Sequence, residues 1–353
     1  MNLTARRLIL YGAILLFGIA GPHLFPAYLQ QMASLWLFIV FALSWDVCGG
    51  QMGYNSFGNV FFLGLGMYAC AVTQVSVSYE VAEYTSARGG SADFEFTAAE
   101  WLTGLFLGLP VGALLAVLSA VVFGMFILSI RGHYFAICTL GLGIAAGELA
   151  AGWDWIGAGS GMTTPMSPPA LGDTNVLLYY LAFLLAVAAF LFFRWLYTTR
   201  FGLAINAIRD GEEKAEAMGL RTTRIKVTAW AFAALFLGIA GGIFGNLKTF
   251  IDPIDVAFSG ATFGVWMVLM AILGGKGTLW GPVIGAVIFQ VMKELFWTYL
   301  LGWQMVALGL LIVLIVVFFP TGILGYLRER FPERFGRGAD ESHLMGKGAG
   351  ETR

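Results

Sequence analysis

Ten stretches of the chain stay apolar for about 20 residues, the length that carries an α-helix across the hydrocarbon core of a bilayer. They run over roughly 8–28, 32–48, 57–78, 103–128, 133–151, 176–196, 226–247, 259–274, 278–300 and 303–320. The eighth is short and the boundary between the second and third is blurred, so eight or nine spans also fit. A chain patterned this way folds as an all-α, polytopic transmembrane helix bundle. Charge density agrees. Lys and Arg number 20 and Asp and Glu 21, together 12% of the chain, against about 25% in soluble domains. Hydrophobic residues make up 59% and the mean hydropathy is +0.80. So few charges cannot cover a soluble surface of this size. Most soluble enzymes, nucleic-acid binders and disordered scaffolds are excluded. The net charge of −1 comes with no basic stripe for a phosphate backbone.

The remaining charges orient the spans, because cytoplasmic loops carry the Lys/Arg excess. Arg6 and Arg7 precede the first span. Arg194, Arg200, Arg209, Lys214, Arg221, Arg224 and Lys226 fall between the sixth and seventh, and Arg328, Arg330, Arg334 and Arg337 lie in the tail. The 79–100 loop instead holds Glu80, Glu83, Asp93, Glu95 and Glu100 against Arg88, and the 152–175 loop holds Asp154 and Asp173. Ten spans place every basic segment on one side and both acidic loops on the other, with both termini cytoplasmic. The first segment also reads as a signal peptide, with Arg6-Arg7, an apolar stretch and small residues near Gly18 and Ala20; an uncleaved first helix is the preferred reading. The transmembrane unit covers 1–326 and a mobile tail 327–353. Cys48, Cys70 and Cys138 all lie in apolar runs and read as small core residues rather than disulfides or ligands.

Glycine is enriched, at 47 of 353 residues, and four segments concentrate it together with polar groups. The first runs from Gly49 to Asn59 and includes Gly50, Gln51, Gly53, Asn55, Ser56 and Gly58. A membrane helix this rich in glycine and amides is broken. Its freed backbone groups then need protein or a water-filled cavity around them, as where transporters build a mid-membrane site for a polar solute. A tight helix crossing is the alternative. The second runs from Ile130 to Gly141 and holds Arg131, His133, Tyr134 and Thr139, with Glu148 further on. His133 reads as interfacial. Glu148 is either a functional buried carboxylate or one that meets water at a helix end.

The third, Arg200 to Lys226, is the one sizeable polar loop on the cytoplasmic side. Ile205, Ile208, Ala215 and Met218 form one face of a short helix pair, broken at Gly211 and ended by Gly219. It is a headgroup-lying amphipathic segment or a docking surface for a cytoplasmic partner. The fourth, Ala271 to Ala286, is a second Gly/Pro-interrupted stretch with Gly274, Gly275, Gly277, Gly281 and Pro282. Two such stretches in opposite halves point to a central pathway.

Catalytic and nucleotide-binding patterns are missing. Gly275-Lys276 is followed by Gly277, so there is no P-loop, and there is no H-E-x-x-H, C-x-x-C or G-x-S-x-G. No metal site is expected from three scattered histidines. Asp46, Glu148, Lys248 and Glu294 make a thin set for a proton relay. A transporter so equipped draws its energy from another subunit. A stand-alone carrier or channel and an integral membrane enzyme are the competing classes; the first needs an ion gradient and the second a catalytic cluster.

The four segments together resemble the LivM-type permease subunits of ATP-binding-cassette importers for branched-chain amino acids. The family's G-x-x-G-x-x-S-x-G-x-x-x-F-x-x-x-G-A-Y is matched by Gly50, Gly53, Ser56, Gly58, Phe62, Gly66 and Tyr68, with Met67 in place of Ala. Its R-G-x-Y-F-A-I-x-T-L is matched from Arg131 to Leu140. Its A-I-R-[DE]-x-x-x-x-A-x-x-x-G is matched by Ala207, Ile208, Arg209, Asp210, Ala215 and Gly219, and its G-G-x-G-[ST]-x-x-G-P-x-x-G-A from Gly274 to Ala286. The departures are Asn59 where the family has His, Gly157-Ala158-Gly159-Ser160-Gly161 for T-G-G-[ST]-x-G, and Glu148 later than the usual Glu. Urea and short-chain amide permeases share the family, so those solutes are the alternative.

The resemblance implies a fold of about ten spans with glycine-interrupted helices and a cytoplasmic coupling helix in the 197–226 loop. By motif and polarity, the candidates for lining a pathway are Gly50, Gly53, Asn55, Ser56, Gly58, Asn59, Tyr134, Thr139, Gly274 and Gly275. ATPase coupling falls to Arg209, Asp210, Glu212, Glu216, Ala217 and Gly219, with Glu216-Ala217-x-Gly219 as a remnant of an E-A-A…G motif. The implied partners are a LivH-like homologous permease, two cytoplasmic ATPases, a periplasmic or lipid-anchored solute-binding protein and the lipid of a bacterial inner membrane. No cofactor is expected in this chain, since ATP would be bound by the partner subunits.

Overall fold

The structure, a computed structural model, describes residues 3–87, 94–318 and 322–330. Its helices in chain order are α1 (Leu3–Leu24), α2 (Leu29–Asp46), α3 (Asn59–Ser76), α4 (Val81–Ser86), α5 (Ala98–Ile127), α6 (His133–Ala151), α7 (Thr174–Thr198), α8 (Arg200–Ala217), α9 (Thr222–Lys248), α10 (Val265–Gly274), α11 (Trp280–Tyr299), α12 (Gln304–Phe318) and α13 (Gly322–Arg330). Each of the ten expected apolar stretches is helical. Among the described residues, seven helical segments are long and apolar enough to cross a bilayer unaided. The other three are α1, with a shorter apolar part from Tyr11 to Leu24; α11, which carries Lys293 and Glu294; and the 15-residue α12. The tail boundary expected at 326/327 falls inside α13, and residues 331–353 lie outside the described residues.

Local sequence sets several of the helix ends. Thr97 and Glu100 form a capping box at the start of α5: the Glu100 N–H donates to Thr97 Oγ1 at 3.3 Å and the Thr97 N–H to Glu100 Oε2 at 2.9 Å. Asp173 accepts from the Asn175 N–H at 3.0 Å and opens α7. Asp252 accepts from the Ile254 and Asp255 N–H groups at 2.9 and 2.6 Å. It thereby starts a pair of π-helical turns, Pro253–Ala257 and Gly260–Gly264, that lead into α10.

The centre of the bundle is the α3–α5–α9 triplet, and small residues make it. A Cβ on Gly66 would lie 2.1 Å from the Gly238 carbonyl oxygen, and one on Gly238 2.8 Å from that of Gly112. Only glycine lets three backbones approach this closely. Polar glue completes the seam. The Gln74 Nε2 donates to Asn246 Oδ1 at 3.1 Å, and the Asn246 Nδ2 returns a bond to Gln74 Oε1 at 3.0 Å. Trp230 Nε1 donates to Asn59 Oδ1 at 3.1 Å. Around this core, α6 leaves Ile137, Ile144 and Leu149 exposed, and α5 does the same with Leu114, Leu118 and Phe126, as a surface against lipid or a second subunit requires.

The connections sort to two ends. One end gathers the 47–58 turn, the 128–132 turn, α8 and the 275–279 turn. The other holds 25–28, α4 and the 152–173 loop, where Met162–Thr163 pairs antiparallel with Phe250–Ile251. The first glycine-rich break therefore does not sit halfway along a span. It links α2 to α3 at the α8 end, because α2 runs on through a π-helical turn, Val47–Gln51, before the chain reverses.

Candidate functional site

Helix α8 has little apolar surface of its own and is held by a narrow face. Ile205, Ile208 and Ala215 are buried. Its backbone leaves helical geometry at Gly211 (φ 169°, ψ 99°), so it is two short helices set at a kink, as the sequence pattern predicts. Gly219 follows with φ +88°, a left-handed conformation that ends the element. Met218 differs from expectation. It lies one position past the helix and points away from the bundle, 83% exposed.

The kink places Glu212 at the centre of a polar knot. Lys226, near the start of α9, donates to Glu212 Oε1 at 2.7 Å and to the Tyr54 hydroxyl at 3.1 Å. Its ammonium also lies 4.8 Å from the centre of the Tyr54 ring. Tyr54, from the α2–α3 turn, donates its hydroxyl to Glu212 Oε2. Lys226 caps the end of α5 as well, donating to the Leu128 carbonyl. Arg131, in the turn before α6, reaches Glu212 at 3.3 Å, Glu213 at 3.2 Å and Glu216 at 3.8 Å. Glu216 accepts from Thr222 Oγ1 at 2.6 Å. One segment is thus tied to the ends of α2, α3, α5, α6 and α9.

Electrostatics favours the charged form of Glu212. Burial works to raise its pKa, but hydrogen bonds from Lys226 and Tyr54 and the charges of Lys226 and Arg131 outweigh it. The carboxyl is held below its usual range. The Lys226 and Glu212 side chains are 1% and 11% exposed. A pair this enclosed is costly to break from one side, by about 3–5 kcal/mol, because the partner is left as an unpaired buried charge.

The two glycine-rich stretches meet beside this knot. The Gly277 N–H donates to Asp46 Oδ1 at 2.7 Å. A Cβ on Gly50 would lie 1.9 Å from that same oxygen and 2.4 Å from the Gly277 nitrogen. Arg209 of α8 packs alongside: its Cγ would be 3.3 Å from a Cβ on Gly53 (φ +81°) and its Nη1 3.6 Å from one on Gly277 (φ +76°). Gly274 and Gly275 close the same turn, where a Cβ on Gly274 would strike the Gly281 carbonyl at 1.7 Å.

A second cluster joins the start of α3 to α6. The Phe57 N–H donates to Thr139 Oγ1 at 3.2 Å, and a Cβ on Gly58 would lie 2.5 Å from the Thr139 carbonyl oxygen. Ser56 is buried and its carbonyl accepts from Trp45 Nε1, and Asn59 is held by Trp230. Asn55 and Tyr134 stand apart, exposed. Glu148 is exposed too, in a groove with Asp255 and Ser259. Asp210 points outward beside Arg209, and Ala217 is exposed at the end of α8.

Tyr54 and Lys226 were absent from the residues expected to matter. Lys226 read as one more basic loop residue; its signal was its place at the head of an apolar run. Arg131 was visible only as a motif residue.

The family model described as "Branched-chain amino acid transport system / permease component" matches residues 28–317. The chain is 26% identical to the high-affinity branched-chain amino acid transport system permease protein LivM of Salmonella typhimurium, over 345 residues covering 90% of this chain and 78% of that one. It is 27% identical to a probable LivM of Methanocaldococcus jannaschii over 237 residues, 62% of this chain and 65% of that one. It is 28% identical to the LivH permease of Escherichia coli over 152 residues, 43% and 47% of the two chains. No solved structure matches. With the helical bundle and its seven bilayer-length segments, the match over residues 28–317 makes this multi-pass membrane protein a member of the branched-chain amino acid transport permease family.

Proposed function

We propose that the chain is the membrane-spanning permease subunit of an importer for branched-chain amino acids, driven by ATP hydrolysis on separate subunits. The relatives named for such systems support the solute. The knot around Glu212 is the observation that carries the coupling. The α8 end is cytoplasmic by its basic residues, with both termini on that side, and the relative from Salmonella typhimurium supports a bacterial inner membrane. Of two cytoplasmic ATPases, one docks on α8, where Met218 and Leu203 stand 83% and 67% exposed as apolar contacts. A LivH-like permease supplies the second half of the pathway, and a periplasmic or lipid-anchored binding protein delivers the solute to the opposite end.

Closure of the ATPases moves α8, and Glu212 passes that movement to the ends of five helices at once. The bundle then shifts between an outward-open and an inward-open packing, with the ATPase supplying the bias. The glycine turns around Gly50, Gly53, Gly274 and Gly275, with Ser56, Gly58, Asn59 and Thr139, form the inner end of the pathway. Asn55 and Tyr134 face outward from it. Glu216→Arg and Gly219→Trp test the docking. Each is expected to abolish leucine uptake with normal abundance of the chain in the membrane. Normal uptake in either variant overturns docking at α8.

A further inference from the structure

At the end opposite α8, the spans part around a cavity of about 430 Å³, within the range of small-ligand sites. Its contents are unusual for a bundle this apolar. Lys248 at the end of α9 and Lys293 and Glu294 on α11 all line it, within electrostatic range of one another. Phe38, Phe244, Phe263 and Trp266 give it an aromatic wall, beside the polar Gln30, Gln31 and Ser34.

The charges do not balance internally. Lys293 is compensated twice, by Glu294 at 3.4 Å and by the faces of Phe38 and Trp266 at 4.9 and 5.9 Å. Lys248 lies over the Phe244 face at 5.6 Å and within electrostatic range of Glu294, but makes no ion pair within 4.0 Å among the described residues. On the acidic side, Gln290 Nε2 donates to Glu294 Oε1 at 2.9 Å and to the Gln31 carbonyl at 3.2 Å. Gln290 holds Glu294 from behind the cavity wall. The cavity thus offers two ammonium groups, one carboxylate and an apolar wall.

We infer that this cavity binds a free α-amino acid with an apolar side chain: Lys248 holds its carboxylate, Glu294 its ammonium, and the aromatic rings its side chain. The inference rests on the amino-acid reading above and gives the chain its own solute site at the entry end, besides whatever the binding protein selects. A solute without a carboxylate supplies Lys248 with no anion, so the same group discriminates against it.

The test is binding of labelled L-leucine to the detergent-purified permease pair without binding protein, with leucine uptake measured in cells. Lys248→Gln and Glu294→Gln are each expected to weaken binding and lower uptake at least tenfold. Lys248→Arg and Glu294→Asp should recover part of both. Leucinol, which lacks the carboxylate, and 4-methylpentanoate, which lacks the ammonium, should not displace leucine. Lys248 is exposed, so its variant decides the matter if Glu294→Gln lowers abundance. Full binding and uptake in Lys248→Gln overturn the site while leaving the importer reading intact. Undiminished leucine uptake in cells lacking the chain overturns the importer reading itself.

Discussion

Lys226 shows what a single buried charge can organise. Its ammonium satisfies a carboxylate, a phenol and a helix-end carbonyl from three other parts of the chain. Removing Lys226 leaves Glu212 with Arg131 at 3.3 Å, whereas removing Glu212 leaves Lys226, 1% exposed, with no carboxylate among the described residues. We expect Glu212→Leu to lower the stability of the detergent-solubilised protein by about 3–5 kcal/mol. Lys226→Met with Glu212→Leu should cost less than Glu212→Leu alone, since no charge is then orphaned; thermal unfolding of the variants checks this. Glu212 also sets a pH dependence. Its folded pKa is depressed, so its contribution is fully present above the usual carboxylate pKa. It disappears as pH falls below about 4. Acid should therefore lower the melting temperature of the wild type more than that of Glu212→Gln, and equal losses would contradict the assignment.

At the scale of the element, α8 and the α3–α5–α9 seam make opposite demands. The seam needs contact without side chains. Gly66→Leu should prevent assembly, because its Cβ alone would lie 2.1 Å from a carbonyl oxygen, beyond what the usual overpacking cost of about 1–3 kcal/mol describes. Gly12→Ala, with nothing within 4 Å, should leave abundance in the membrane unchanged. Helix α8 needs a hinge, and its kink at Gly211 was legible: an amphipathic pattern with a glycine inside it and another at its end has few other solutions. Met218 was not legible, because a helical period extrapolated one residue past its end assigns the wrong face. The knot was not legible either. Period and composition place Lys226 and Glu212 on separate elements, and nothing local states that a turn 172 residues before Lys226 supplies Tyr54.

For the whole molecule, apolar patterning was enough to locate all ten helical stretches, since a bilayer leaves the backbone almost no alternative. Depth was harder to read. The 49–59 stretch announced a break, and the structure puts that break at one end of the bundle, against Gly277 and Arg209, where it can answer to α8. On the proposed reading a second permease completes the pathway, and this chain's share of it is a surface rather than a tunnel. The account's central claim is that movement at α8 drives branched-chain amino acids through that surface. Uptake of labelled leucine, urea and a short amide, in cells lacking this chain and in the same cells carrying it, tests the claim most directly. The account predicts loss of leucine uptake alone. Leucine uptake unchanged, with urea or amide uptake lost, would contradict it.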